Sequence, residues 1–160
     1  EDTGEDIYLA ARSFYENKLS ARRELRLESF YSPNESKYIY SLPVSGKGSQ
    51  IKTVPIPTGH TARFIGLEEI PESETSYTVI WEELTPEEPD PKSTRPTMSF
   101  TELFHEVQSY GGKMLFVTLP SYISETEKSE LRAVGFRELG ELPDYFGGGV
   151  SEVHWGRKFD

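Results

Sequence analysis

The chain has 160 residues, 35% of them hydrophobic, with nine Phe, nine Tyr and two Trp to supply buried area, so one domain with a single core is expected over 1–160. Its 27 acidic and 17 basic side chains leave a formal charge of −10, a field that repels phosphate backbones and anionic lipid, so neither nucleic acid nor membrane is the expected partner, while a local basic pocket stays compatible with it. The absence of cysteine removes disulfides, thiol nucleophiles and Cys-ligated zinc, and with no apolar run near the roughly 18 residues that a membrane span requires, a cytoplasmic protein is the plain expectation.

In chain order, "EDTGEDIYLAARSFYENKLSARRELRLESFY" predicts a helix. Ile7, Ala10, Ala11, Phe14 and Leu19 recur near helical spacing, and acids crowd the first turn. "SPNES" breaks it. "KYIYSLPV" and "IKTVPIP" are short β-like runs about "SGKGSQ", with Pro43, Pro55 and Pro57 restricting them to edge or irregular strands. "TARFIGLEEI" and "SYTVIWEEL", separated by "PESET", predict a second hairpin. "TPEEPDPKSTRPT" is a proline-rich loop. Ser99 and Glu102 then have capping-box spacing for a helix with Phe100, Leu103, Phe104 and Val107 on one face, stopped by Gly111 and Gly112. "KMLFVTLP" is a continuous apolar run of the kind buried on both faces of a sheet. Ser124 and Glu127 open a second capped helix, with Leu131 and Val134 inward, ending at Gly135. "FRELGEL" and "VSEVHWGRKF" follow as two strands joined by "PDYFGGG". The order predicts an α+β fold: a mixed, mostly antiparallel twisted sheet flanked by helices, with "KMLFVTLP" parallel to its predecessor.

Over about residues 77 to 159 this order resembles the GNAT superfamily of acyl-CoA-dependent N-acyltransferases. The resemblance rests on "SYTVIWEEL", the proline-rich loop, "SFTELFHEVQSY", "MLFVTLP", "SETEKSELRAVGF", and a tail with Gly135-Phe136, Gly140, Asp144-Tyr145-Phe146 and Gly147 to Gly149. The chain departs from the family's pyrophosphate signature. If Arg95 starts that motif, Met98 and Phe100 stand where small residues belong, and no glycine occurs between Gly66 and Gly111. "EEPD" adds like charge nearby, Leu131 stands at the family's usual tyrosine acid, and Ser124 at its customary asparagine. The resemblance implies an acyl transfer, by default acetyl, from acyl-CoA to a small-molecule or peptide amine. The alternatives are a non-catalytic, antizyme-like module that binds a protein partner, to which the divergent loop points, or one half of a tandem acyltransferase.

Lys92, Arg95, Thr97 and Ser99 form the best anion site, two cations and two hydroxyls ahead of a helix N-terminus; alternatively Ser99 simply caps the helix. Glu82 and Glu83 end a strand where an acyltransferase needs a base, or are solvated strand-end charges. Tyr145 either protonates the leaving thiolate or packs beside Phe146. His60, His105 and His154 show no metal-ligand spacing, so no metal is expected.

Overall fold

The structure, a computed structural model, describes residues 9–42, 61–84 and 96–160. The "SGKGSQ" turn, the "IKTVPIP" run, Pro43, Pro55, Pro57, His60 and most of the proline-rich loop lie outside the described residues.

The described chain opens with α1 (Leu9–Ser13) and a π-helical turn (Phe14–Lys18). The predicted long N-terminal helix stops there. Residues 22 onward form β1 (Arg22–Ser32), paired antiparallel with β2 (Glu35–Ser41). Two features overrule the helix. Ser20 and Ser29 sit at φ 51° and 54°, which a right-handed helix does not accommodate. Leu25 and Leu27 alternate with charged neighbours, so a strand places both on one buried face. The turn is Pro33-Asn34, inside the predicted breaker, and β2 therefore pairs backwards with β1.

The main sheet has five strands in the order β3-β4-β5-β7-β6: β3 (Thr61–Glu69), β4 (Ser76–Leu84), β5 (Met114–Pro120), β6 (Arg137–Gly147) and β7 (Val150–Lys158). Only β4 with β5 is parallel; the remaining neighbours are antiparallel. This is the expected mixed α+β sheet, with β5 flanked on both sides and almost wholly buried. Helix α2 (Phe100–Ser109) makes the crossover from β4 to β5, and α3 (Glu125–Ala133) leads from β5 to β6. Both expected capping boxes form, Ser99 with Glu102 and Ser124 with Glu127. Gly111 and Gly135, at φ 72° and 96°, take the left-handed conformation that ends each helix.

Alternation along the strands divides the core between two faces. Val79, Leu115, Val117, Leu119, Val153 and Trp155 pack against Leu103 and Val107 of α2 and Leu131 of α3. Met114 and Phe116 point the other way, against Leu25, Leu27 and Phe30 of the β1–β2 ribbon. Each such aliphatic side chain stabilises the fold by about 1.5–3 kcal/mol through burial. The result is three layers, with helices on one face of the sheet and a β-ribbon on the other.

The tail departs from the expected loop. β6 continues through Asp144, Tyr145 and Phe146 to Gly147, leaving only Gly148-Gly149 as the turn. Its ladder with β7 is interrupted between Leu142 and Gly147, and Asp144 sits at φ 55° with Oδ1 accepting from Gly149 N–H at 2.7 Å. A short polar side chain tolerates that conformation because it bonds its own turn.

Candidate functional site: the fork between β4 and β5

The two parallel strands pair over three positions only, Ser76 with Met114, Tyr77 with Leu115 and Thr78 with Phe116. Beyond these, β4 stays with β3 through Leu84, while β5 stays with β7 through Pro120. The sheet therefore opens into a fork at the C-terminal ends of its two parallel strands. A crevice outside the carboxyl ends of parallel strands is the customary ligand position in open α/β sheets.

Side chains span this fork. Trp81 Nε1 donates to Thr118 O at 2.8 Å, satisfying a carbonyl that no β4 amide reaches. Tyr122, two residues past β5, donates its hydroxyl to Glu83 Oε1 at 2.5 Å. Glu127 Oε1 accepts from Ala62 N–H at 2.8 Å, tying the start of α3 to β3, and Met98 N–H donates to Phe64 O at 2.8 Å, fixing the approach to α2. Beside the fork lies a cavity of about 260 Å³ lined by Ala62, Phe64, Thr97, Ser99, Leu119 and Glu127, among others. Ala62 is the cross-strand partner of Glu83, which places the Glu83–Tyr122 pair next to that cavity.

Alternation separates the two acids expected as bases. Tyr77, Val79 and Trp81 belong to the helix-side core, so Glu83 shares their face and Glu82 takes the opposite one. There Glu82 Oε2 meets Arg63 Nη2 at 2.6 Å. Glu83 alone of the two reaches the fork. Burial, then the hydrogen bond to Glu83 and its charge, push the Tyr122 phenol well above its ordinary value. It therefore stays protonated through neutral pH and beyond, with its proton directed at a carboxylate.

Of the expected anion site, Thr97 and Ser99 line the cavity; Lys92 and Arg95 lie outside the described residues. Ser99 is engaged in capping: its hydroxyl accepts from Glu102 N–H at 3.2 Å, and its own N–H donates to Glu102 Oε2 at 2.7 Å. The Ser99 backbone and then its hydroxyl hold the Glu102 carboxyl below the usual carboxylate value. The start of α2 is thus served by the chain's own anion. Tyr145 is 60% exposed on the edge strand β6, edge-on to Phe146 at 5.1 Å, with β7 and β5 between it and β4.

Tyr122 is the fork residue that sequence reasoning missed. Its signal was its place directly after a buried parallel strand, since the ends of two parallel neighbours share one edge of the sheet. Among the described residues, no group of three His, Asp or Glu side chains is placed to hold a metal ion. No described helix is long and apolar enough to cross a membrane.

No protein-family model matches the chain, and no curated protein matches it. Among solved structures, a Desulfovibrio desulfuricans protein assigned to the GNAT family of acetyltransferases is similar, at 20% identity and a TM-score of 0.43. The likeness covers 57% of this chain and 58% of that one, so this chain spans little more than half the length of the protein it matches.

Proposed function

We propose that the chain is an N-acyltransferase that moves an acyl group from acyl-CoA to an amine at the fork, with Glu83 and Tyr122 as the proton-handling pair. The observation that carries this reading is a carboxylate and a protonated phenol hydrogen-bonded at the open end of two diverging parallel strands. The sequence resemblance supplies the substrate class. The fork suits a pantetheine arm, because backbone groups of β4 and β5 that face each other there are not paired in a ladder. The nucleotide end fits less well: the start of α2 has no glycine between Gly66 and Gly111 to let a pyrophosphate approach, and Glu102 already occupies it. Weak CoA binding follows.

In this scheme Glu83 takes a proton from the acceptor ammonium. The freed amine attacks the thioester carbonyl carbon, forming the N–C bond as the C–S bond breaks. The thiolate takes the Tyr122 proton, and the proton held by Glu83 passes to Tyr122 along their existing hydrogen bond. The second nitrogen proton leaves to water. Tyr122→Phe keeps the ring and removes the relay, so turnover should fall about 100-fold while CoA affinity is kept. The measurement is calorimetric titration with acetyl-CoA and free CoA, followed by turnover over a panel of amines. Absence of CoA binding at about millimolar concentration overturns the reading.

Trp81 and Glu102 favour a second reading. The indole bridges the fork and the carboxylate serves the helix N-terminus, which is how a GNAT-like scaffold without catalysis would keep its binding elements closed. Such a module acts by binding a protein, and capture of a stable partner with no acyl transfer supports it.

A further inference from the structure

Residues 9–42 carry six basic and four acidic side chains, and four further acids precede them in residues 1–8. Within residues 9–42, α1, the π-helical turn and the β1–β2 ribbon enclose a groove of about 540 Å³, on the side of the sheet away from α2 and α3. Its lining includes Arg12, Lys37, Tyr15, Tyr31, Tyr38 and Tyr40, with no acid among the described residues that line it. That volume lies in the range of small-molecule sites.

Three guanidiniums converge on one ring. The Cζ atoms of Arg12, Arg23 and Arg26 lie 4.7, 5.3 and 5.8 Å from the centroid of Tyr38. Cation–π attraction favours each contact singly, but like charges this close repel one another unless an anion joins them. Glu28, 3.9 Å from Arg26, offsets that guanidinium, while Glu24 accepts from Ser41 at 2.5 Å and Glu16 from the hydroxyl of Tyr40, a lining residue, at 3.2 Å. Arg12 Nε is buried with no hydrogen-bond partner among the described residues, and a buried donor of this kind calls for an acceptor. Tyr15 and Tyr40 stack beside it, with ring centroids 5.4 Å apart and planes at 24°.

We propose that this groove is a binding site for an anion carried on a planar ring, of the nucleoside monophosphate class. The phosphate meets Arg12 and Arg23, whose planar donors match its oxygens in pairs. The ring lies against the Tyr15–Tyr40 stack. The site is separate from the fork and does not depend on acyl transfer.

The test is calorimetric titration of the full chain with adenosine 5′-monophosphate, inorganic phosphate and adenosine, each at low and high salt. The nucleotide should saturate with a Kd below about 1 mM, at least about tenfold tighter than phosphate or adenosine alone, and weaken with salt. Arg12→Gln should weaken it about tenfold or more. Arg23→Gln and Tyr15→Ala change side chains nearer the surface and leave the fold intact by circular dichroism; each should weaken binding as well. Lack of saturation, equal affinity for phosphate and nucleotide, or binding indifferent to all three substitutions overturns the proposal. The last outcome would place the nucleotide elsewhere on the chain.

Discussion

His154 projects from β7 opposite Thr118 of β5 and meets Glu152 through Nε2 at 2.7 Å. Burial holds its imidazole below the ordinary value of 6.5 and Lys37 of the ribbon adds to that, while the hydrogen bond and charge of Glu152 oppose them. The unfolded chain therefore takes up this proton at a higher pH than the folded one. Stability from this group is complete above about pH 6.5 and is lost as pH falls through the folded value, because over that window unfolding binds a proton. His154→Gln should flatten that part of the profile, which melting temperatures taken from pH 7.5 down to pH 5 would read. A slope unchanged by the substitution would assign the acid sensitivity to carboxylates instead.

The two capping boxes do different amounts of work. Glu102 serves only its own helix among the bonds described, with Ser99 N–H at 2.7 Å. Glu127 uses Oε2 for Ser124 N–H at 3.0 Å and Oε1 for Ala62 N–H, joining α3 to the edge of β3. Ser99→Ala should lower stability by about 1 kcal/mol, the usual effect of losing an N-cap. Glu127→Ala should lower it by more than Glu102→Ala does, since it also leaves a strand amide without its acceptor. Urea denaturation of the three variants gives the comparison. Elements of this kind were legible in the sequence because their signals are local: a cap and its partner sit three residues apart, and the apolar spacing of α2 follows at once. The first strand was not. "SARRELRLESFY" carries enough good helix formers to pass for helix, and only Leu25 and Leu27, two apart, mark the strand that β2 and the sheet beneath it select.

The ribbon and the sheet meet at Gly140. This residue has φ 151°, and a Cβ there would lie 2.9 Å from Leu25 Cβ, so the backbone of β6 can approach β1 only without a side chain. Gly140→Ala should destabilise the whole chain by about 1–3 kcal/mol, as overpacking does. Hydrogen exchange should show the change first at β1 and β2, and uniform loss across the sheet would mean that the ribbon does not dock separately. The same layering explains what the sequence hid about the candidate site. The glycine-rich tail and the strand carrying Glu83 were visible as segments, while Thr97 and Ser99, read as part of an anion site, line the cavity. Pairing Glu83 with Tyr122, 39 residues later, depends on β4 and β5 being parallel and then parting, which no local pattern encodes. Alternation separates Glu82 from Glu83 in the sequence, but does not tell which face carries the fork.

The chain's two tryptophans occupy opposite surroundings. Trp155 is fully buried in the helix-side core, and its Nε1 has no hydrogen-bond partner among the described residues. Trp81 spans the fork with its indole N–H bound to Thr118 O. An indole excited in a buried setting, unbonded at its N–H, emits further to the blue than one whose N–H is held by a carbonyl near solvent. The emission spectrum is therefore a sum of two bands with separate meanings, one following the integrity of the core and the other following whatever displaces the indole from the Thr118 carbonyl. Subtracting the spectrum of Trp81→Phe isolates the second band, so the molecule carries its own optical gauge of the fork without an added dye.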